Sequence, residues 1–298
     1  MENLQNIINN EFNLNLSIEP FGDNVARNNI FLGKNKEGQS FIIKIETLKQ
    51  LEQVKTAIKI ASNLLESDVL SSSHYIKVNS GEFYVISEDK IITIQIKDDL
   101  VKLSPKCKED FIHLGEALGE FHRILLGLEL TSLKESDFYK DFMGNEVPLA
   151  QKPERLAEIN QFYELRTPDY KKLTQGIVHN DLNSNNIFHF GKKYFFIDFE
   201  LLKKSPLISD IGVLILELWD FNAGVEDYNE KLKSIIEGYE KKNKLSQYDK
   251  ENIIIFSLRY LFSDENWYNY WSFNGNPAAI DLIPEIRKKE EILFTILS

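Results

Sequence analysis

The residues of this chain best equipped for chemistry lie in one stretch, Gly176 to Glu200. It reads Ile177-Val178-His179-Asn180-Asp181-Leu182-Asn183-Ser184-Asn185-Asn186-Ile187-Phe188, then Gly191-Lys192-Lys193, then Phe195-Phe196-Ile197-Asp198-Phe199-Glu200. Apolar flanks surround a loop dense in Asp and Asn, a composition that suits ligand-binding oxygens far better than a packed core. Ile187 to Phe190 and Tyr194 to Phe199 are predicted as two strands joined by a three-residue turn containing Gly191. Phe190 then faces Tyr194, and the same register sets Asn186 opposite Asp198. Opposed residues have Cβ atoms about 4.5–5.5 Å apart, so an amide oxygen and a carboxylate placed there can grip one hard cation. Mg²⁺ favours such oxygens and keeps its other positions for water and phosphate. Asp181, just upstream, is left to face a substrate hydroxyl.

Strands and helices must hold these groups in place. Phe41-Ile42-Ile43-Lys44-Ile45 is a compact apolar run with one charge inside it. It follows the turn-rich Gly33-Lys34-Asn35-Lys36-Glu37-Gly38, which predicts a hairpin with Phe31 and Leu32 on its first strand. Alternation puts Phe41, Ile43 and Ile45 on one face and Ile42 and Lys44 on the other. Thr47 with Gln50 three residues later is a capping-box pattern, and Leu51, Val54, Ile58, Ala61 and Leu65 recur at helical spacing. Glu82 to Ser87 predicts another strand. The pattern loosens around Glu88-Asp89-Lys90, where a first domain, 1–89, is expected to give way to a second, 90–298. Beyond it, Phe111, Leu114, Leu118, Phe121 and Leu125 form a helical stripe with His122 beside it as a core histidine. Asp210 is placed to cap a helix through Val213, Leu214 and Leu218, and 253–270 reads as a long aromatic-rich helix. A small β-rich part followed by a larger helical one is an α+β organisation.

Composition narrows the partners. The 298 residues are 43% hydrophobic and 27% charged, ordinary for a globular chain. A net charge of -11 argues against a nucleic-acid or anionic-membrane surface. The single cysteine, Cys107, allows neither an intrachain disulfide nor a cysteine metal cluster. The first residues lack a basic start and apolar core, and the best apolar run, Ile211 to Leu216, is far short of the roughly 20 residues that span a bilayer. A cytoplasmic protein is expected.

The segment from His179 onward resembles the catalytic core of the aminoglycoside phosphotransferase and choline kinase superfamily. That family's pattern is H-x-D-x-x-x-x-N, an apolar strand, then I-D-F or I-D-W. Here it stands as His179, Asp181 and Asn186, then Ile197-Asp198-Phe199. Glu200 and the downstream Asp210-Ile211-Gly212 look closest to choline and ethanolamine kinases. The resemblance is sharp over residues 176–212 and faint elsewhere. It implies a two-lobed protein-kinase-like fold, a β-rich N-lobe and a helical C-lobe, with ATP or GTP and Mg²⁺ held between them. It also implies roles. Asp181 accepts the hydrogen bond and proton of the attacking hydroxyl. Asn186 and Asp198 hold Mg²⁺, His179 braces the loop, and Asp210 ties the loop to the next helix. Lys44 is the candidate for the α- and β-phosphates, with Glu52 on the following helix to orient it. Phe21 to Asn29, with one glycine, is similar to the relaxed phosphate-covering loop of small-molecule kinases.

Only twelve positions separate Asp198 from Asp210, which leaves no room for the activation segment of a protein kinase. A small acceptor is therefore favoured. Asp264-Glu265-Asn266-Trp267-Tyr268-Asn269-Tyr270-Trp271 combines carboxylates that attract amines with aromatic faces that attract quaternary ammonium groups. Trp267 and Trp271, four apart, can equally pack one helix face onto the core. The expected activity is phosphorylation of a hydroxyl on a small, amine-bearing molecule, aminoglycoside-like or choline-like. The alternatives are a catalytically silent nucleotide-binding module, opposed by the intact Asp181, Asn186 and Asp198, and a protein kinase. Oligomeric state is not legible in the sequence.

Overall fold

Alternating apolar residues build the first sheet. The structure, a computed structural model, describes residues 2–21, 29–130, 133, 135 and 148–297. Helix α1 (Glu2–Glu11) precedes strands β1 (Ser17–Pro20), β2 (Ile30–Lys34) and β3 (Ser40–Thr47). Helix α2 (Leu51–Leu64) and strand β4 (Leu70–Ser71) follow, then β5 (Val85–Ser87), β6 (Lys90–Ile96) and β7 (Val101–Lys102). The five-stranded sheet runs β1-β2-β3-β6-β5, and its pairs are antiparallel. Phe41 and Ile43 of β3 are buried with Ile92 and Ile94 of β6, and Ile8 of α1 and Phe12 just after it complete that core. Val54 and Ile58 of α2 pack on Ile91. Thr47 and Gln50 do form a capping box, on a single 3-10 turn that leads into α2.

The expected boundary at residue 89 falls instead in a hairpin turn. Glu88 is left-handed at φ 58, and Ser87 pairs with Lys90 across it. β6 then pairs with β3 over its whole length, so the polar Glu88-Asp89-Lys90 is a tight turn inside one sheet. One compact unit comprises Met1–Leu103 together with Asn186–Glu200, and the other Ser104–Asn185 with Leu201–Ser298. The late segment of the first unit supplies β9 (Ile187–Phe190) and β10 (Lys193–Phe196). They join β4 and β7 in a second sheet of order β4-β10-β9-β7.

The second unit is mostly helical. It contains α3 (Lys108–Leu126), α4 (Pro153–Arg166), α5 (Ile208–Leu218), α6 (Gly224–Tyr239), α7 (Gln247–Phe273) and α8 (Ile283–Leu297). Strands β8 (Gln175–Val178) and β11 (Lys203–Pro206) form an antiparallel pair. Buried Asp249, in the first turn of α7, accepts from Ser246 and from both the backbone and hydroxyl of Thr174, tying α7 to the entrance of β8. Helices α3 and α6 approach until their backbones touch. A Cβ on Gly115 would overlap the Ile235 carbonyl, and one on Gly238 would overlap the Ile112 carbonyl. These two glycines permit a separation no side chain would allow.

Gly238→Ala and Gly115→Ala should therefore each destabilise the protein by about 1–3 kcal/mol through overpacking. Urea denaturation reads this directly, and a cost below about 0.5 kcal/mol would show that the seam has slack.

Candidate active site

The loop that carries Asp181 is built around one buried carboxylate. Asp210 has no exposed surface, and it lies in the first turn of α5 rather than at the cap position expected from sequence. Its Oδ2 accepts from the His179 backbone N–H at 2.7 Å, and its Oδ1 from that of Asn180 at 2.8 Å. His122 Nε2 lies 3.0 Å from Oδ2 and donates to it, which leaves His122 Nδ1 to accept from the Tyr239 hydroxyl at 2.8 Å. Burial pushes the Asp210 carboxyl up, but the His122 hydrogen bond and the electrostatic pull of the His122 and His179 rings, with the Asn180 N–H, outweigh it and hold the group below the usual aspartate range. Burial, then the charges of Asp210 and Asp249, push the Tyr239 phenol up, so its proton stays available to His122. His122, read from sequence as a core histidine, is thus a link in this network. His179 is fully buried, its ring packed 5.9 Å from that of Phe121.

Two bonds from Asp210 to consecutive amides force a turn. Asn180 is left-handed at φ 67, a conformation that Asn tolerates better than most residues. Asp181 follows, and Asn183 Nδ2 donates to its Oδ1 at 2.7 Å. Asn183 Oδ1 in turn accepts from the Asn185 N–H at 2.9 Å. The asparagines that marked the loop as unusual are therefore partly self-bracing. Farther along α5 and α7, burial raises the Tyr260 phenol far above its usual range, and Asp264, Asp181, Glu217 and Tyr268 add to the shift. Asp264 and Asp181 thus both lie within electrostatic reach of Tyr260. Glu265, by contrast, is buried between Arg155 and Arg287, and Arg155 also binds buried Glu290, so it is an internal counter-ion joining α4, α7 and α8. Trp267 and Trp271 are 40% and 37% exposed with ring centroids 5.9 Å apart, too open to be core residues.

In the first unit, Lys44 of β3 lies in register with Ile30 and Thr93. Its Nζ is 3.6 Å from Glu200 Oε1. Glu52, expected to orient Lys44, is bound instead to Lys55 at 3.0 Å one turn along the exposed face of α2. Burial raises the Glu46 carboxyl above the ordinary range; Lys44 opposes the rise, while Glu200 and Asp198 add to it. Lys44 thus pairs with Glu200 and also acts on Glu46, which feels Glu200 and Asp198 in turn.

The β9–β10 register differs by one residue from the expected one. Phe190 pairs with Lys193 and Ile187 with Phe196, so the loop is the two-residue Gly191-Lys192, with Gly191 at φ 61. Two-residue loops with a positive-φ residue are the commonest hairpin connections, because their backbone twist matches that of the flanking strands. Asn186 is consequently level with Ile197, whose N–H it accepts at 3.2 Å. Asp198 lies one step beyond the ladder, left-handed at φ 67, which breaks the alternation of side chains. Among the described residues no three His, Cys, Asp or Glu side chains gather as a metal cluster. Buried Asn186 and the carboxylate of Asp198 nonetheless fit Mg²⁺, which takes few protein oxygens. Residues 22–28 of the expected phosphate-covering loop lie outside the described residues.

A sequence model of APH, described as a phosphotransferase enzyme family, matches residues 17–242. No curated protein matches the chain. Several solved structures are similar in fold. The amicoumacin kinase hAmiN, in complex with AMP-PNP and Ca²⁺, is 16% identical with a TM-score of 0.71, over 94% of this chain and 88% of that one. A microcompartment-associated aminopropanol kinase is 14% identical with a TM-score of 0.70, over 99% and 97%. The choline kinase LicA from Streptococcus pneumoniae is 13% identical with a TM-score of 0.60, over 97% and 98%. The α+β fold is accordingly the protein-kinase-like one. No helix among the described residues is long and apolar enough to cross a membrane.

The lowered carboxyl of Asp210 has a signed consequence for stability. Its contribution is complete above the unfolded aspartate value of about 3.9 and is lost as pH falls through the lower folded-state value. Asp210→Asn should cost about 1–3 kcal/mol at neutral pH, because buried donors lose an acceptor. Denaturation at a series of pH values should show that difference narrowing only below about pH 4, and a constant difference down to about pH 2 would contradict the assignment.

Proposed function

The chain belongs to the phosphotransferase enzyme family and is a small-molecule kinase, and from that premise we propose that it moves the γ-phosphoryl group of ATP or GTP to a hydroxyl of a small, amine-bearing molecule. Asp181 accepts a hydrogen bond from the acceptor hydroxyl and takes its proton as the oxygen bonds to the γ-phosphorus. The bond from that phosphorus to the β–γ bridging oxygen breaks, and the nucleoside diphosphate leaves. Asn186 and Asp198 hold Mg²⁺, which when bound neutralises phosphate charge. Lys44 exchanges the Glu200 carboxylate 3.6 Å away for α- and β-phosphate oxygens. His179 and Asp210 keep the loop in shape.

The observation that carries this reading is the frame around Asp181. Its preceding amides are pinned by a buried carboxylate, and Asn183 holds one of its oxygens. The nucleotide analogue and divalent ion held by the amicoumacin kinase support the donor. A cationic acceptor is supported by the shared field of Asp181, Glu217 and Asp264 on Tyr260, and by the partly exposed Trp267 and Trp271. The aminopropanol kinase and the choline kinase are named for nitrogen-bearing alcohols.

A panel of aminoglycosides, choline, ethanolamine, thiamine and sugars, assayed with Mg²⁺ and ATP or GTP, should reveal turnover with an amine-bearing alcohol. Asp181→Ala should lower kcat by about 10²–10⁴-fold while nucleotide still binds. Lys44→Ala should raise the nucleotide KM and leave the acceptor KM nearly unchanged. Nucleotide binding without transfer to any acceptor would make the chain a silent binding module, and phosphate on polypeptide alone would make it a protein kinase.

A further inference from the structure

Asp210 secures only the entrance of the Asp181 loop; its exit is secured by a different residue of the same helix. The backbone N–H of Ser184 donates to Glu217 Oε2 at 2.9 Å. Glu217 lies seven residues after Asp210 on α5, about two helical turns, so both carboxylates lie on one helix face. Asp181 sits between the two tethers, two residues after His179 and three before Ser184. Asn183, which fixes the Asp181 carboxylate, immediately precedes the tethered amide. Displacing that amide therefore displaces the side chain that aims Asp181.

We propose that Glu217 is a positioning residue that sets the orientation of Asp181 by holding the exit of its loop. The proposal rests on the reading of Asp181 as the proton acceptor. A second property of Glu217 must be separated from it, since its charge also acts on Tyr260 and Tyr268. A glutamine at this position separates the two: its side-chain oxygen can accept from the Ser184 N–H but carries no charge.

The test compares Glu217→Ala and Glu217→Gln in the full chain. Amide hydrogen exchange at Ser184 should quicken in E217A and stay slow in E217Q. With the best acceptor from the panel, E217A should lose about tenfold or more in kcat with its nucleotide KM within about twofold, and E217Q should recover kcat to within about threefold of the wild type. Equal losses in the two variants would mean that Glu217 acts through charge, and would overturn the tether. So would unchanged exchange at Ser184 in E217A, whatever the turnover. Glu217 is partly buried in the last turn of α5, and a urea melt of each variant separates a folding loss from a positional one. A wild-type protein without turnover counts against the kinase reading alone, because the exchange experiment reads the tether independently.

Discussion

A carboxylate with no contact with water has to be met by hydrogen-bond donors, and much of the second unit is organised by meeting Asp210. Two donors are backbone amides, which cannot be supplied without bending the chain, hence the left-handed Asn180. The third is His122, whose other nitrogen needs a partner and finds Tyr239 on α6. That reach across from α3 to α6 depends on helices in backbone contact, which Gly115 and Gly238 allow. A site geometry is thus traced back to two residues without side chains. The position of Asp210 in the first turn of α5 adds favourable interaction with the helix dipole.

The first unit has the opposite electrostatic character. Lys44 pairs with Glu200, and the Glu46 carboxyl is raised first by burial, with Glu200 and Asp198 adding to the rise and Lys44 opposing it. The β3–β6 and β9–β10 ladders fix the strands that lead to these carboxylates. In the proposed reading this group is a site prepared for incoming cation rather than a self-satisfied salt bridge. Glu200 matters here for its place two residues after Asp198, a proximity the motif itself contains.

Much of this was legible in the sequence because the motif residues are close neighbours along the chain. Asp181, Asn186 and Asp198 stand within 18 positions, and the loop's polarity set them apart from their flanks. Register was harder. Two- and three-residue loops are both compatible with Gly-Lys-Lys, and one residue of difference moved Asn186 from Asp198 to Ile197. The partner of Lys44 was misplaced because a glutamate on the next helix is the nearer choice in sequence, while Glu200 is brought in from 156 residues away by tertiary structure. Glu265 looked like a site residue since acidic and aromatic residues adjoin it; only the packing of α4 and α8 reveals Arg155 and Arg287 beside it. His122 and Glu217 carried a weaker signal. The seven-residue spacing from Asp210 to Glu217 places them on one face, but nothing in a single sequence says what that face holds.

The division of the chain also bears on how the protein is made. β4 is paired by β10, and Ser72 just after it donates to the Phe196 carbonyl 124 residues later. During synthesis at about 5–20 residues per second, the early strands wait on the order of ten seconds for the hairpin that completes their sheet. Through that interval the edge of β4 stays open to other partners, and the ribosome has already released α3, α4 and β8 before the first unit can close. The β9–β10 hairpin is therefore both the carrier of Asn186 and Asp198 and the last piece of the unit that emerged first.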